Sequence, residues 1–288
     1  MLDAGAAHLY RVTTRIIMAT HMLKTSLLSL TLLVTSGQCL AWGQQGHRVT
    51  GQIAENFLSE QSKQKLAAIM GPESLAESAT YPDEMRSSPD LFWKKTANPY
   101  HYVTLQDGEH YHDHDAPEVG DAVTALRMYT KVLQDKNAAN EQKQLAVRFI
   151  VHIIGDLHQP LHVGSKARDD QGGNKIKLKY FGNDSNLHRV WDSEIIDSQQ
   201  LSFSEHATIL QRYIDSTEVK TWSTIDVGLW INESAQLREK SYSSDDDLSY
   251  DYNFQHLPTI KVRLQQAGVR IGAYLNAALA GEAIKLPQ

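Results

Sequence analysis

Residues 151–162 read Val-His-Ile-Ile-Gly-Asp-Leu-His-Gln-Pro-Leu-His, a run as apolar as a core helix except for the ionisable side chains set into it. A fold that buries this run has to give those side chains partners, because an unpaired charge is costly in an apolar interior. His152 and Asp156 are four apart, so a helix projects both from one face, one turn apart. Pro160 ends that helix near His158, and the chain turns to present His162 from a different backbone direction. The same spacing recurs at His188 and Asp192 on a second helix. Two His-x-x-x-Asp pairs in one chain read as a multinuclear metal site.

Most long segments carry apolar residues at helical spacing: Val49, Ile53, Phe57 and Leu58; Val123, Leu126, Met128, Tyr129 and Leu133; Leu145, Phe149, Ile150 and Ile153. Ile260, Leu264, Ala267, Ile271, Leu275 and Leu279 continue the pattern into a long C-terminal helix. Strand alternation is scarce. Lys175 to Tyr180 is its clearest instance and predicts a short β-hairpin near 175–185. Polar loops fall around 104–120, 164–174 and 240–252, with no repeat and no low-complexity linker. The expected fold class is all-α, a single mostly helical domain.

Residues 22–41 have the build of a secretory signal: Lys24 near the start, an apolar run over 27–34, then small residues before Trp42. That run is too short to span a bilayer as a helix. The expectation is export with cleavage between Ala41 and Trp42, giving a periplasmic or secreted protein with no membrane anchor. Residues 1–21 fit no part of a signal, which points to translation starting at Met18 or Met22, and residues 42–288 are expected to form one exported domain. The single cysteine, Cys39, lies inside the signal. Its removal rules out disulfides and thiolate metal sites in the exported chain. Removing residues 1–41 also takes three basic side chains and one acidic one from totals of 28 and 34, leaving a formal charge of −8. An acidic composition does not advertise a nucleic-acid groove. Divalent ions held by Asp83, Asp156 and Asp192 would reverse that locally and leave a positive pocket.

Three further pieces can complete a metal cluster: Trp42 to His47, Tyr81-Pro82-Asp83-Glu84-Met85-Arg86, and His101-Tyr102-Val103. With Ala41 removed, the Trp42 α-amine and its own carbonyl oxygen can chelate one ion in a five-membered ring. A divalent cation competes well for an amine whose pKa is near about 8. His47 can fold back onto the same ion.

At this point the chain resembles the zinc-dependent S1/P1 nucleases, with a more distant similarity to bacterial zinc phospholipase C. The resemblance runs from Trp42 to about Leu279. It rests on the N-terminal Trp with its Gly-His, Asp83-x-x-Arg86, His101-Tyr102, the segment from His152 to Gly164, Gly172-Gly173-Asn174, His188 with Asp192, and Ala267-Gly268-Val269-Arg270. It implies the phospholipase C/P1 nuclease type of helical fold and three zinc ions. One would be held by Asp83, His101, His152 and Asp156; a second by Trp42, His47 and a bridging Asp156; the third by His162, His188 and Asp192. Imidazole and carboxylate without thiolate suit catalytic zinc. Paired zinc ions lower the pKa of a shared water enough to supply a nucleophile near neutral pH. The resemblance further implies a monomer, needing no stable protein partner, that cleaves single-stranded DNA and RNA to 5′-phosphates and acts on 3′-nucleotides. Asp83, Arg86 and Asp156 would be its catalytic residues. Arg86 would also grip a phosphate oxygen, Tyr102 would stack a base, and Asn174 would donate to the phosphate or to a neighbouring ligand. Thr104 departs from the acidic or amide side chain common at that position, which leaves base preference open.

Two rival functions remain at this stage. A zinc phospholipase C fits the cluster chemistry, but its pattern has Glu where Asp192 stands, and the 25 residues between His162 and His188 exceed its usual insertion. A non-catalytic zinc-binding protein is the other; structural zinc sites are usually closed by four ligands and rich in cysteine. His206 and His256 receive no role, His158 a structural one, and Trp191 is assigned to core packing. The His110 to Asp115 run is read as a solvated loop.

Overall fold

A computed structural model describes residues 42–288 except 107, 109, 113 and 114. The signal segment, Cys39 and the upstream residues lie outside the described residues, as do Asp113 and His114. Twelve α-helical segments make up most of what is described: α1 (Gln44–Glu55), α2 (Glu60–Met70), α3 (Leu75–Ser78), α4 (Tyr81–Glu84), α5 (Ala122–Gln134), α6 (Asn140–Leu157), α7 (Leu187–Arg189), α8 (Ile195–Asp197), α9 (Phe203–Gln211), α10 (Ser216–Trp222), α11 (Val227–Ser241) and α12 (Tyr250–Ala280). Five short strands accompany them: β1 (Val103–Leu105), β2 (Val163–Ser165), β3 (Lys177–Tyr180), β4 (Asn183–Asn186) and β5 (Asp247–Leu248). The mostly helical single-domain expectation holds. Among the described residues no helix is long and apolar enough to cross a membrane.

α6 is the central helix because its second half is apolar all round, and a helix without a polar face has to be surrounded. Every residue from Phe149 to Leu157 is buried, His152 and Asp156 included. Phe149 anchors one core, stacked on Tyr129 at 4.3 Å between ring centroids and on Trp93 at 5.5 Å. A second core gathers Trp42, Val49, Ile53, Leu161, Trp191 and Leu264 around α1 and α12. α1 and α12 approach closely at Gly268, where a Cβ would stand 2.4 Å from Ile53 Cγ2 and 3.2 Å from the Thr50 carbonyl. Met128, counted with the apolar face of α5, is 40 % exposed instead. It lies two residues from buried Leu126, and two helical steps rotate a side chain off the face that Leu126 occupies.

β1 and β2 pair in parallel with Val103 opposite Val163, so the short sheet sets His101 and Tyr102 beside Leu161 and His162. β3 and β4 form the expected hairpin, closed at Phe181 and Gly182, both at positive φ (49° and 75°). α12 begins ten residues before the apolar pattern that announced it and runs through Pro258. Proline removes one backbone bond there, and the turn it interrupts faces water, with Phe254 87 % exposed.

Candidate metal centre

Seven elements converge on one buried cluster. α1 carries His47 and α4 carries Asp83; a 3₁₀ turn over Asn98–His101 ends in His101. α6 supplies His152 and Asp156, and the 3₁₀ turn Pro160–His162 supplies His162. α7 carries His188 and passes into a π-helical turn, Val190–Glu194, that holds Asp192. The second pair thus spans an α-to-π junction, and its partners still meet, His188 Nε2 lying 3.0 Å from Asp192 Oδ2.

Three groups of donor atoms come close enough to hold ions: His47, His152 and Asp156; Asp83, His101 and His152; and His162, His188 and Asp192. The first two share His152. Asp156 faces both sides, with Oδ1 3.2 Å from His47 Nε2, and Oδ2 3.0 Å from His152 Nε2 and 3.3 Å from His101 Nδ1. His47 and His152 stack with centroids 4.0 Å apart. Gly155 makes room for this, since a Cβ there would lie 3.0 Å from His47 Nδ1.

Backbone carbonyls fix the tautomers. His152 Nδ1 donates to the Ala79 carbonyl at 2.7 Å, His162 Nδ1 to the His101 carbonyl at 2.6 Å, and His188 Nδ1 to the Gly172 carbonyl at 2.7 Å. A carbonyl only accepts, so each Nδ1 holds the proton and each Nε2 turns a lone pair toward the cluster, the usual support of a metal-ligating histidine.

Electrostatics agree. Burial, together with the crowd of neighbouring imidazoles, holds His47 and His101 well below the usual histidine range, and burial lowers His152. These rings are neutral and available as ligands. Burial pushes Asp83 up to about 6 and Asp156 well above the carboxylate range. Burial also opposes ionisation of Asp192, but His188 and His162 outweigh it and hold that carboxyl below its ordinary value. Both His47 nitrogens, Asp83 Oδ2, both Asp156 oxygens and His162 Nε2 are buried without a hydrogen-bond partner among the described residues. So many unmatched polar atoms, most of them able to accept, are costly in one interior without something positive between them. Divalent cations fit that requirement, and imidazole with carboxylate is a donor set that zinc, among other transition metals, accepts.

A profile described as S1/P1 Nuclease matches residues 42–280. The chain belongs to the S1/P1 nuclease family. It is therefore a nuclease, a hydrolase acting on the phosphodiester bonds of nucleic acid, in a metal-dependent family. Endonuclease 4 of Arabidopsis thaliana is 30 % identical over 285 residues, covering 86 % of this chain and 92 % of its own. Nuclease S1 of Aspergillus oryzae is 26 % identical over 82 % of this chain and 91 % of its own. Nuclease P1 of Penicillium citrinum is 30 % identical over 57 % and 63 %.

The remaining sequence-selected residues flank the cluster. Arg86 Nη1 lies 3.4 Å from Asp83 Oδ1, and its Nη2 donates to Asn98 Oδ1 at 3.1 Å. Tyr102 is 38 % exposed, and its carbonyl accepts from the Ala122 N–H at 3.1 Å. Asn174 Nδ2 donates to the Gln171 carbonyl at 2.9 Å, within its own turn. Trp42 is fully buried, and the Gly43 N–H donates to the Asp192 carbonyl at 2.7 Å, which ties the segment to the third group. Trp191 packs in the core and donates from Nε1 to the Tyr252 hydroxyl. His158 is structural, with Nδ1 on the Ile154 carbonyl and Nε2 accepting from Arg270. His206 and His256 are both buried, and His256 packs against Trp191 and Tyr252.

Sequence reasoning missed Gln159 and Asn98. Gln159 is fully buried and donates to Asp192 Oδ1 at 2.5 Å. Its only signal was a polar letter inside a segment that had to be buried.

Proposed function

We propose that this chain is an exported three-zinc nuclease selective for single-stranded DNA and RNA, leaving 5′-phosphate ends and also acting on 3′-nucleotides. The six buried atoms of His47, Asp83, Asp156 and His162 that have no hydrogen-bond partner among the described residues carry this reading, because a closed structural zinc site has no need of so wide a set of donors. One ion would be held by Asp83, His101, His152 and Asp156, a second by Trp42, His47 and Asp156, and a third by His162, His188 and Asp192. Trp42 offers its α-amine only once the preceding residues are removed, so export and metal loading are linked; the exported protein would begin at Trp42 and act as a monomer in the periplasm or outside the cell. Bound zinc supplies a water of lowered pKa and positive charge toward the phosphate.

The chain's own groups do the rest. Asp156 turns one oxygen to His47 and the other to His152 and His101, as a carboxylate shared between two ions must. Arg86, braced by Asp83 and Asn98, offers a planar cationic fork to a non-bridging phosphate oxygen. Tyr102 projects from a backbone pinned by β1 and by Ala122, a firm platform for one base. A stacked base has to leave its duplex neighbours, which favours single strands. Asn174 completes the set as a donor beside the Gly172-Gly173 turn.

Initial rates on matched single-stranded and duplex oligonucleotides, with phosphatidylcholine vesicles as a third substrate, test this reading. It requires the single strand to be cleaved fastest; a preference for vesicles would support the phospholipase alternative.

A further inference from the structure

Five residues separate Asp156, in the first cluster, from His162, in the third. This connection is gripped from outside through its own carbonyls. Ser234 Oγ donates to the Leu157 carbonyl at 2.6 Å, Arg263 Nε to the His158 carbonyl at 3.0 Å, and Arg238 Nη1 to the Val163 carbonyl at 2.7 Å. The first two acceptors lie at the C-terminal end of α6, where no further helical turn can satisfy them. Arg263 also donates to Glu233 at 2.7 Å, Gln266 at 2.6 Å and Ser234 Oγ at 2.8 Å. Ser234, Arg238 and Arg263 are all buried. α11 and α12 therefore hold this connection as a bracket.

Inside the bracket, the Gln159 side chain reaches across to the third cluster. Its Oε1 accepts from the Leu161 N–H at 2.5 Å, and its Nε2 donates to Asp192 Oδ1 at 2.5 Å. The Leu161 N–H can bond only to an acceptor, which fixes the amide oxygen on that side and leaves the amide nitrogen no choice but Asp192. Asp192 is thereby turned so that its other oxygen, Oδ2, faces His188 Nε2 at 3.0 Å.

We propose that Gln159 is a positioning residue for the third metal site: it orients Asp192 and locks that site to the α6 turn that carries the other two. The inference rests on the three-ion reading above. It assigns Gln159 no contact with substrate; its effect passes through Asp192 alone. Because the clamp acts on one oxygen of one ligand, its loss should weaken one ion of three.

The test is zinc titration of the exported-length protein, with stoichiometry and affinity read directly, for wild type, Gln159→Met and Gln159→Asn. Methionine keeps the length and removes donor and acceptor; asparagine keeps the amide and is one carbon too short to reach. Wild type should hold three ions. Both variants should keep two at unchanged affinity and bind the third about 10–100-fold more weakly, the usual cost of losing such an outer partner. The double variant Gln159→Met/Asp192→Asn should bind no worse than Asp192→Asn alone. If the methionine variant fails to fold, the asparagine variant answers the same question. Three ions held at wild-type affinity would overturn the proposal. So would equal weakening of all three together with a lower melting temperature of the metal-free protein, which marks a purely structural role. A wild type that binds no zinc would instead overturn the three-ion reading.

Discussion

Asp156 concentrates the electrostatic problem that the centre has to solve. Its carboxyl is fully buried and surrounded by neutral imidazoles, and burial resists its ionisation. The Asp156→Asn variant keeps the volume and removes the charge, so it should lose two ions. Lewis-acid assistance of this kind stabilises a transition state by several kcal/mol, so kcat should fall a hundredfold or more at about 1.4 kcal/mol per factor of ten. Normal zinc content in that variant, measured by elemental analysis, would contradict the bridging assignment. Tyr102 makes a different prediction. Base stacking contributes about 1–3 kcal/mol, so Tyr102→Ala should raise KM for oligonucleotides roughly 5- to 150-fold with zinc content unchanged. Loss of zinc from that variant would give Tyr102 a structural role instead.

At the scale of elements, placement of the ligands depends on how closely helices approach. His47 reaches the cluster only if α1 lies tight against α12, and Gly268 sets that distance. Gly268→Ala should cost roughly 1–3 kcal/mol by overpacking, or about 2–4 °C in Tm for each kcal/mol; an unchanged melting curve would show that the contact can relax. Much at this scale was legible in the sequence. The i, i+4 pairs named His152, Asp156, His188 and Asp192 because period and chemistry coincide in them, and the Lys175–Tyr180 alternation gave the hairpin. Apart from Gln159 and Asn98, what stayed hidden has no letter. Ala79, His101 and Gly172 serve the site through carbonyl oxygens, which every residue has and only tertiary structure aims. The π turn around Asp192 and the start of α12 ahead of Pro258 were illegible for a related reason: local propensity disfavours both, and packing overrides it.

For the whole molecule, ionisation couples the site to stability. In the metal-free protein, burial holds His47, His101, His152 and His158 below the ordinary imidazole range, while it raises Asp83 to about 6 and holds Asp156 well above its ordinary value. As pH falls from about 7 to about 5, the unfolded chain protonates its histidines near about 6.5. The folded rings stay neutral, so stability is lost. The two aspartates act in the opposite sense, because the folded state takes up their protons first. Burial lowers His206 and His256 as well and raises Asp121, Glu194 and Asp197; the depressed histidines outweigh the raised carboxyls, so the unfolded state binds more protons and stability falls as pH falls. Scanning calorimetry should show the metal-free Tm falling over that range. The zinc-loaded protein should lose Tm more steeply, since protons compete with zinc for the same lone pairs. A metal-free Tm that rises on acidification would mean that the carboxylates dominate.

The most direct measurement is cleavage of an end-labelled single-stranded oligonucleotide by zinc-loaded protein beginning at Trp42, with and without a chelator, reading the chemistry of the product ends. The predicted result is release of 5′-phosphate products that the chelator abolishes and added zinc restores. Cleavage that persists without metal, or no cleavage by fully zinc-loaded protein, would contradict a zinc-dependent phosphodiesterase built on this cluster.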